Sequence, residues 1–385
     1  MEATTFLSAL KQQGYTHFSG VPCSFLKPLI NAVINDLDID YIGASSEGES
    51  IGISLGAHLA GKKTVSICQN SGLGNMVNPL TSLNNPFKVP TLLITTLRGE
   101  PGTPDEPQHT LMGEITGELL DTLRIPWQFF PDSEEAIAKT LSNAEDAISN
   151  DNAPYALVLK KGTLSPTKLE PSRRQASVQT YHLSHPPSHQ DKRPSRTKAI
   201  NTLLSQCSGN EAIIATTGKT GRELFTQNDR DGNLYVVGGM GTASAIGLGI
   251  ATSLPNQAVI VLDGDGAALM KLGALATIGH YQPDNLLHIV LDNESHDSTG
   301  GQATSSSTVD FAQIASACNY RNVYRADSLD QLSDCLDDSR RRHGPSLIHL
   351  KIKPGSPPNL GRPNIPPHQV KERFMQFLQS NRSSS

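Results

Sequence analysis

Asp265 and Asn293 stand at the ends of two apolar runs, VIVLDG (259–264) and LLHIVLD (286–292), with a helical pattern between them. Strands of a parallel sheet emerge on one edge, so the Asp265 carboxylate and the Asn293 side-chain carbonyl can converge on a single hard cation. The amides of Gly264, Gly266 and Ala267 would then face anionic oxygens. Such a set suits Mg²⁺ bridging a bound diphosphate. A tight strand-to-helix turn would favour Gly and Asp for backbone reasons alone, and it is the second strand end with its Asn that favours the ligand set.

The elements that must position these residues come in two blocks of alternating strands and helices. THFSGVP, IDYIGA, KTVSICQ, VPTLLITTL and YALVLKK read as buried strands of the first block, and EAIIATTG, NLYVVGG, AVIVLDG, LLHIVLD and SLIHLKIK as those of the second. Between them, residues 165–198 are rich in Pro, Ser, Arg and Lys and read as an exposed linker. The expected fold is α/β: two doubly wound parallel-sheet domains, 1–164 and 199–385, with ligands at the carboxyl ends of the strands.

Composition narrows the partners. A net charge of -5 argues against nucleic acid or an anionic membrane. Five cysteines without CxxC or framework spacing fit reduced thiols in the cytoplasm. The amino-terminal stretch reads neither as a signal peptide nor as a membrane span, so a cytoplasmic location is expected. Two nucleotide motifs are incomplete. In VVGGMGTAS, Ser244 takes the third small position of a dinucleotide fingerprint, and in IIATTGKT, Ile213 stands where a P-loop needs its first Gly.

Gly264-Asp265-Gly266 followed by Asn293 resembles the cofactor signature of thiamine diphosphate enzymes. The resemblance implies Mg²⁺ held by Asp265, Asn293 and the Ser295 carbonyl, although this chain has Asp292-Asn293-Glu294 where many members have Asn-Asn-Gly. In ASSEGESIGISLGAHLAG, Glu47 matches the glutamate that protonates the aminopyrimidine ring, with Glu49 as the alternative. A carboxyl in that role should be desolvated, which favours its protonated form; a helix-capping carboxylate is the competing reading. Ser71 and Gly72 in QNSGLGN match a turn that lets the backbone approach the cofactor. Thr217 and Gly218 join the cofactor contacts, the Gly238 carbonyl would meet the ring amino group, and Met240 would wedge between the two rings.

Longer runs narrow the resemblance. DEPQH (105–109), TTGKTGRELF (216–225), HDSTGGQ (296–302) and LGRP (360–363) are similar to the phosphonopyruvate decarboxylase family. That family converts 3-phosphonopyruvate to phosphonoacetaldehyde and CO₂ in phosphonate natural-product biosynthesis. It implies pyrimidine-binding and diphosphate-binding domains without a middle domain, and a homodimer or higher homo-oligomer with active sites at subunit interfaces. His109 is the first candidate for proton transfer, with His296 and Asp297 as the competing pair. Ser24, Lys27, Arg98, Lys219 and Arg362 are candidates for the substrate's anionic groups. Sulfopyruvate decarboxylation is the nearest alternative; a nicotinamide-dependent oxidoreductase and a non-catalytic cofactor-binding protein are the others.

Overall fold

Uninterrupted aliphatic runs become interior strands because both faces of a parallel sheet are covered by helices. In the computed structural model, which describes residues 1–171, 177–185 and 193–383, they build two units, Met1–Arg174 and Gln175–Ser385. The first holds β1 (Tyr15–Gly20), β2 (Asp40–Gly43), β3 (Lys63–Cys68), β4 (Leu92–Thr96), β5 (Trp127–Phe129) and β6 (Tyr155–Leu159), ordered β2-β1-β3-β4-β6-β5. All its pairings are parallel. One face packs Phe6, Leu29, Val65 and Leu157, the other Ile51, Leu73, Leu93 and Ala156.

The second unit holds β7 (Tyr181–Ser184), β8 (Ala212–Ala215), β9 (Asn233–Tyr235), β10 (Val259–Gly264), β11 (Leu286–Asp292), β12 (Ser295–His296), β13 (Gln302–Ala303), β14 (Asn322–Ala326) and β15 (Ser346–Lys351). Its main sheet runs β7-β14-β15-β11-β10-β8-β9, again wholly parallel. The pair β12 and β13 forms a small antiparallel ribbon.

Strands β5, β7, β12, β13 and β14 go beyond the ten read from the sequence. Trp127–Phe129 is a three-residue edge strand, and β14 carries Asn322 and Arg325 among its five residues, so neither offers an aliphatic run. Strand β7 lies inside the stretch read as a linker and pairs with β14. Other parts of that stretch are fastened to the first unit: Ser165 N donates to Met1 O at 2.9 Å, and the Asn31 and Asn35 amides donate to the Thr167 and Lys168 carbonyls at 2.7 and 2.9 Å. Residues 172–176 and 186–192 of it lie outside the described residues. The stretch is too short to enclose the core of a third domain.

Each sheet has a strand beside which the chain reverses direction, β1 in the first and β8 in the second. β1 is flanked by β2 and β3, and β8 by β9 and β10. Crevices at such switch points are where doubly wound sheets hold ligands, and both families of candidate residues sit there. No helix among the described residues is long and apolar enough to cross a membrane.

Candidate active site

In the first unit the helix Glu47–Leu59 starts just after β2 and is buried along most of its length. Its small residues permit this: Ser54 Oγ and Ser66 Oγ on β3 share a hydrogen bond at 2.8 Å. The two acidic residues of its first turn have separate surroundings. Ser46 Oγ accepts from the Glu49 N–H at 3.3 Å, while Glu49 Oε2 accepts from the Ser45 N–H at 2.8 Å and from the Ser45 hydroxyl. Glu49 thus ties the helix start to Ser45, the residue before the N-cap Ser46, and is buried. Glu47 points elsewhere. Its Oε2 accepts from Asn75 Nδ2 at 2.7 Å, and a Cβ at Gly72 would stand only 2.6 Å from Glu47 Oε1. Gly72 therefore makes room for the Glu47 carboxylate. Glu47 is half-buried, less enclosed than the sequence reading expected.

Around this carboxylate, Gln69 Nε2 donates to Ser71 Oγ at 2.8 Å and Cys23 Sγ to Gln69 Oε1 at 3.3 Å. His109 is buried at 7% exposure in the turn Pro107–His109. Its main chain lies against Gly99, where a Cβ would come within 2.0 Å of the His109 carbonyl oxygen. Arg98 is tied to Asp105 by two hydrogen bonds, at 3.1 and 2.5 Å, and touches Ser24 Oγ at 3.5 Å. Hydrogen bonding to Arg98 holds the Asp105 carboxyl well below its usual range. Lys27 is exposed at the start of the helix Lys27–Asn35.

In the second unit Gly264 precedes the helix Asp265–Met270. A Cβ on Gly264 would meet nothing within 4 Å, and its φ of -103° is ordinary. Neither sterics nor backbone angle demands glycine there, as fits a backbone that a ligand approaches. Asp265 Oδ2 accepts hydroxyl hydrogens from Thr304 and Ser306 at 2.5 and 3.0 Å, leaving Oδ1 for a cation. Burial raises the Asp265 pKa, the Thr304 hydroxyl offsets part of this, and the Asp292 carboxylate adds to it. A bound cation would reverse that sign.

Asn293 is buried at 4% exposure and its amide is turned by a neighbour. Asn293 Nδ2 donates to Asp297 Oδ2 at 2.6 Å, and Asn293 Oδ1 accepts from the Ser295 N–H at 3.2 Å. Asp297 Oδ2 also accepts from Arg196 Nη2 at 2.8 Å, while Arg196 Nη1 donates to Glu223 at 2.8 Å. Arg196 and Glu223 are buried and had no place among the expected site residues; an Arg in the supposed linker and a Glu in a helix give no local signal of a shared contact.

Glu294, at the position where the resemblance led to Gly being expected, adopts φ 60°. The turn thus keeps a glycine-like backbone at a cost of roughly 1 kcal/mol, and Lys351 Nζ holds the Glu294 carboxylate at 2.8 Å. Ser295 follows as the start of β12, and the neighbouring His296 ring fills the space beside Gly266, where a Cβ would lie 2.7 Å from its Cε1.

Gly218, with φ 96° and ψ -138°, turns from β8 into the helix Lys219–Gln227, a backbone conformation that side chains strongly disfavour. Thr217 Oγ1 donates to the Val237 carbonyl at 2.9 Å, joining the turns after β8 and β9. In the second of these, Gly238 and Met240 are half-buried, and Gly239 and Gly241 have φ 52° and 89°. A Cβ on Gly241 would lie 2.8 Å from the Ala267 carbonyl oxygen, so this turn packs onto the Asp265 helix. Lys219 is half-buried and Arg362 exposed beside the same turn.

The second unit therefore brings Thr217, Gly218, Gly264, Asp265, Gly266, Ala267, Asn293, Ser295, His296 and Asp297 to one sheet edge, and the first brings Glu47, Ser71 and Gly72 to another. Among the described residues no group of three His, Cys, Asp or Glu side chains forms a metal cluster. A cation on Asp265 would complete its shell with the Asn293 amide oxygen, main-chain carbonyl, diphosphate and water, all hard donors suited to Mg²⁺.

Two oppositely specialised sheet edges of this kind match a known pair of domains. Residues 3–120 match the thiamine pyrophosphate enzyme N-terminal TPP binding domain, and residues 217–350 the C-terminal TPP binding domain. The fold is shared with Rhodococcus jostii thiamine diphosphate-dependent 4-hydroxybenzoylformate decarboxylase (TM-score 0.71, 13% identity, 92% of this chain and 99% of that one). It is shared equally with Polynucleobacter necessarius benzoylformate decarboxylase (TM-score 0.71, 12% identity, 93% and 99%).

Phosphonopyruvate decarboxylases of Streptomyces viridochromogenes and Streptomyces hygroscopicus are each 45% identical to this chain, over 98% of it and 94% of their own length. The sulfopyruvate decarboxylase of Methanosarcina acetivorans is 31% identical, over 97% and 96%. The chain belongs to the phosphonopyruvate decarboxylase family of thiamine pyrophosphate enzymes.

Proposed function

We propose that this protein is a carboxy-lyase that decarboxylates 3-phosphonopyruvate to phosphonoacetaldehyde and CO₂ with thiamine diphosphate and Mg²⁺, as a step in phosphonate biosynthesis in the cytoplasm. The observation that carries the reading is the near-full-length relationship to two phosphonopyruvate decarboxylases. Thiamine diphosphate, when bound, supplies an electron sink for the pair released as carbon dioxide leaves.

The residues divide the remaining work. Glu47, set apart from the capping Glu49, would donate a hydrogen bond to a pyrimidine nitrogen. Ser71 and Gly72 would border the same ring, the Gly238 carbonyl would accept from its amino group, and Met240 would separate the two rings. Thr217, Gly218, Gly264, Gly266 and Ala267 would line the diphosphate, and Asp265, Asn293 and the Ser295 carbonyl would hold Mg²⁺.

His109, buried on the loop after β4, is the proposed proton donor to the product carbon, with His296 the alternative. The pairing of Asp297 with His296 is revised. A carboxylate already accepting from Arg196, Asn293 and the Gly355 N–H is a holder of the Asn293 amide rather than an acid. Assembly as a homodimer or higher homo-oligomer completes the reading, each site drawing on two subunits.

The test is CO₂ release by the cofactor-stripped protein from phosphonopyruvate, sulfopyruvate and pyruvate, with and without thiamine diphosphate and Mg²⁺. Turnover of phosphonopyruvate that needs both additions is expected. Preferential turnover of sulfopyruvate would move the substrate assignment, and no turnover of any of the three would end the reading.

A further inference from the structure

A cavity of 490 Å³ lies beyond the carboxyl ends of β8 and β9. Thr217 and Gly218, assigned above to the diphosphate, form part of its wall, so whatever occupies it sits beside the cofactor half held by this unit. Lys219, Arg222 and Arg362 line it, and no carboxylate does.

The three cations are not equivalent. Arg222 spends its guanidinium on the main chain: Nε donates to the Gly361 carbonyl at 3.0 Å and Nη2 to the Leu360 carbonyl at 2.5 Å. The Gly361 N–H in turn donates to Thr226 Oγ1 at 3.1 Å. These bonds fasten the LGRP segment to the helix Lys219–Gln227 and so deliver Arg362 to the cavity. Lys219 and Arg362 themselves have no hydrogen bond or ion pair with another described residue. Two uncompensated cations on one concave wall repel each other and favour an anion between them.

The other anion candidates lack this combination. Arg98 is neutralised by Asp105, and Lys27 is an exposed side chain at a helix start.

We propose that this cavity is the phosphonate subsite, with Lys219 and Arg362 binding the phosphonate oxygens and Arg222 acting as the positioning residue that holds Arg362 in place. The assignment rests on the decarboxylase reading. The cofactor's diphosphate presents the same phosphoryl chemistry, and the experiment must separate the two sources.

Lys219→Gln and Arg362→Gln variants are compared with the wild-type protein in three measurements: KM and kcat for phosphonopyruvate, Kd for thiamine diphosphate with Mg²⁺, and calorimetric binding of phosphonoacetate to the cofactor-loaded protein. Each substitution is expected to raise KM about tenfold or more, the scale of a lost charge-assisted hydrogen bond. It should weaken phosphonoacetate binding in parallel and leave thiamine diphosphate affinity unchanged, and Lys219→Arg should restore most of the loss.

Unchanged KM and unchanged phosphonoacetate affinity would overturn the proposal, as would a raised thiamine diphosphate Kd with KM unaffected, which would give these cations to the diphosphate. A wild-type protein that binds phosphonoacetate through Lys219 and Arg362 yet releases no CO₂ from phosphonopyruvate would uphold the subsite and sink the reaction reading.

Discussion

Glu47 and Glu49 are two residues apart at one helix start, and neighbours rather than sequence tell them apart. Glu49 commits its Oε2 to the cap at Ser45, whereas among the described residues the Glu47 carboxylate has the Asn75 amide as its one hydrogen-bond partner, in a space opened by Gly72. Glu47→Gln should therefore lower kcat by at least about 100-fold with little change in thermal stability. Glu49→Gln should instead lower the melting temperature, and steady-state kinetics beside a melting curve for both variants separates the two roles. Asp297, too, takes its role from its neighbours, Asn293 and Arg196. Its loss frees the Asn293 amide, so Asp297→Ala should weaken Mn²⁺ binding, followed by electron paramagnetic resonance, by about tenfold or more. Equal Mn²⁺ affinity in the variant and the wild-type protein would remove Asp297 from the positioning role.

At the scale of elements, the strands that carry the site were legible because β8, β10 and β11 are largely aliphatic runs (AIIA, VIVLDG and LLHIVLD) that end in or are soon followed by Gly, Asp or Asn. Strands β5, β7 and β14 were not, since their stability comes from neighbours across the sheet rather than from a local pattern. The same limit hid Arg196 and Glu223, whose partners lie 101 and 27 residues away in the chain. The turn after β11 shows sequence and backbone in conflict: Glu294 takes the left-handed conformation and is secured by Lys351. Glu294→Gly relieves the backbone and forfeits a half-exposed ion pair, two effects of about 1 kcal/mol or less, so stability and Mn²⁺ affinity should change little. A large fall in Mn²⁺ affinity would show that the carboxylate itself matters.

His349 on β15 gives the sheet a pH signature. Burial alone would lower its pKa, but the Asp292 carboxylate hydrogen-bonded to it at 2.8 Å and the Asp310 carboxylate 3.8 Å away outweigh this and raise it above the ordinary 6.5. A folded-state pKa above the unfolded one means that the stabilisation is full below about 6.5 and is lost as pH rises through the folded value. Melting temperatures of wild-type and His349→Gln protein should thus converge as pH increases from 6 towards 9. A gap between them that stays constant across that range would show that His349 acts by packing alone.

For the whole molecule, the decisive question is which copies of the chain share a site. The Glu47 group and the Asp265 group belong to different folding units, each with its own sheet and its own switch point. In the proposed homo-oligomer a site takes Glu47 from one subunit and Asp265 from another. Glu47→Gln and Asp265→Asn proteins should then each be nearly inactive alone. If they are unfolded and refolded together, half of the dimers pair the two variants by chance. Such a dimer has one site with both substitutions and one with neither, so activity should return to about a quarter of the wild-type level. Sites built within a single chain would give no recovery at any mixing ratio, because every site would then carry one of the two substitutions. Activity measured against the ratio of the two variants distinguishes the arrangements: shared sites predict a maximum at equal amounts, and separate sites predict a flat line at the level of the inactive proteins.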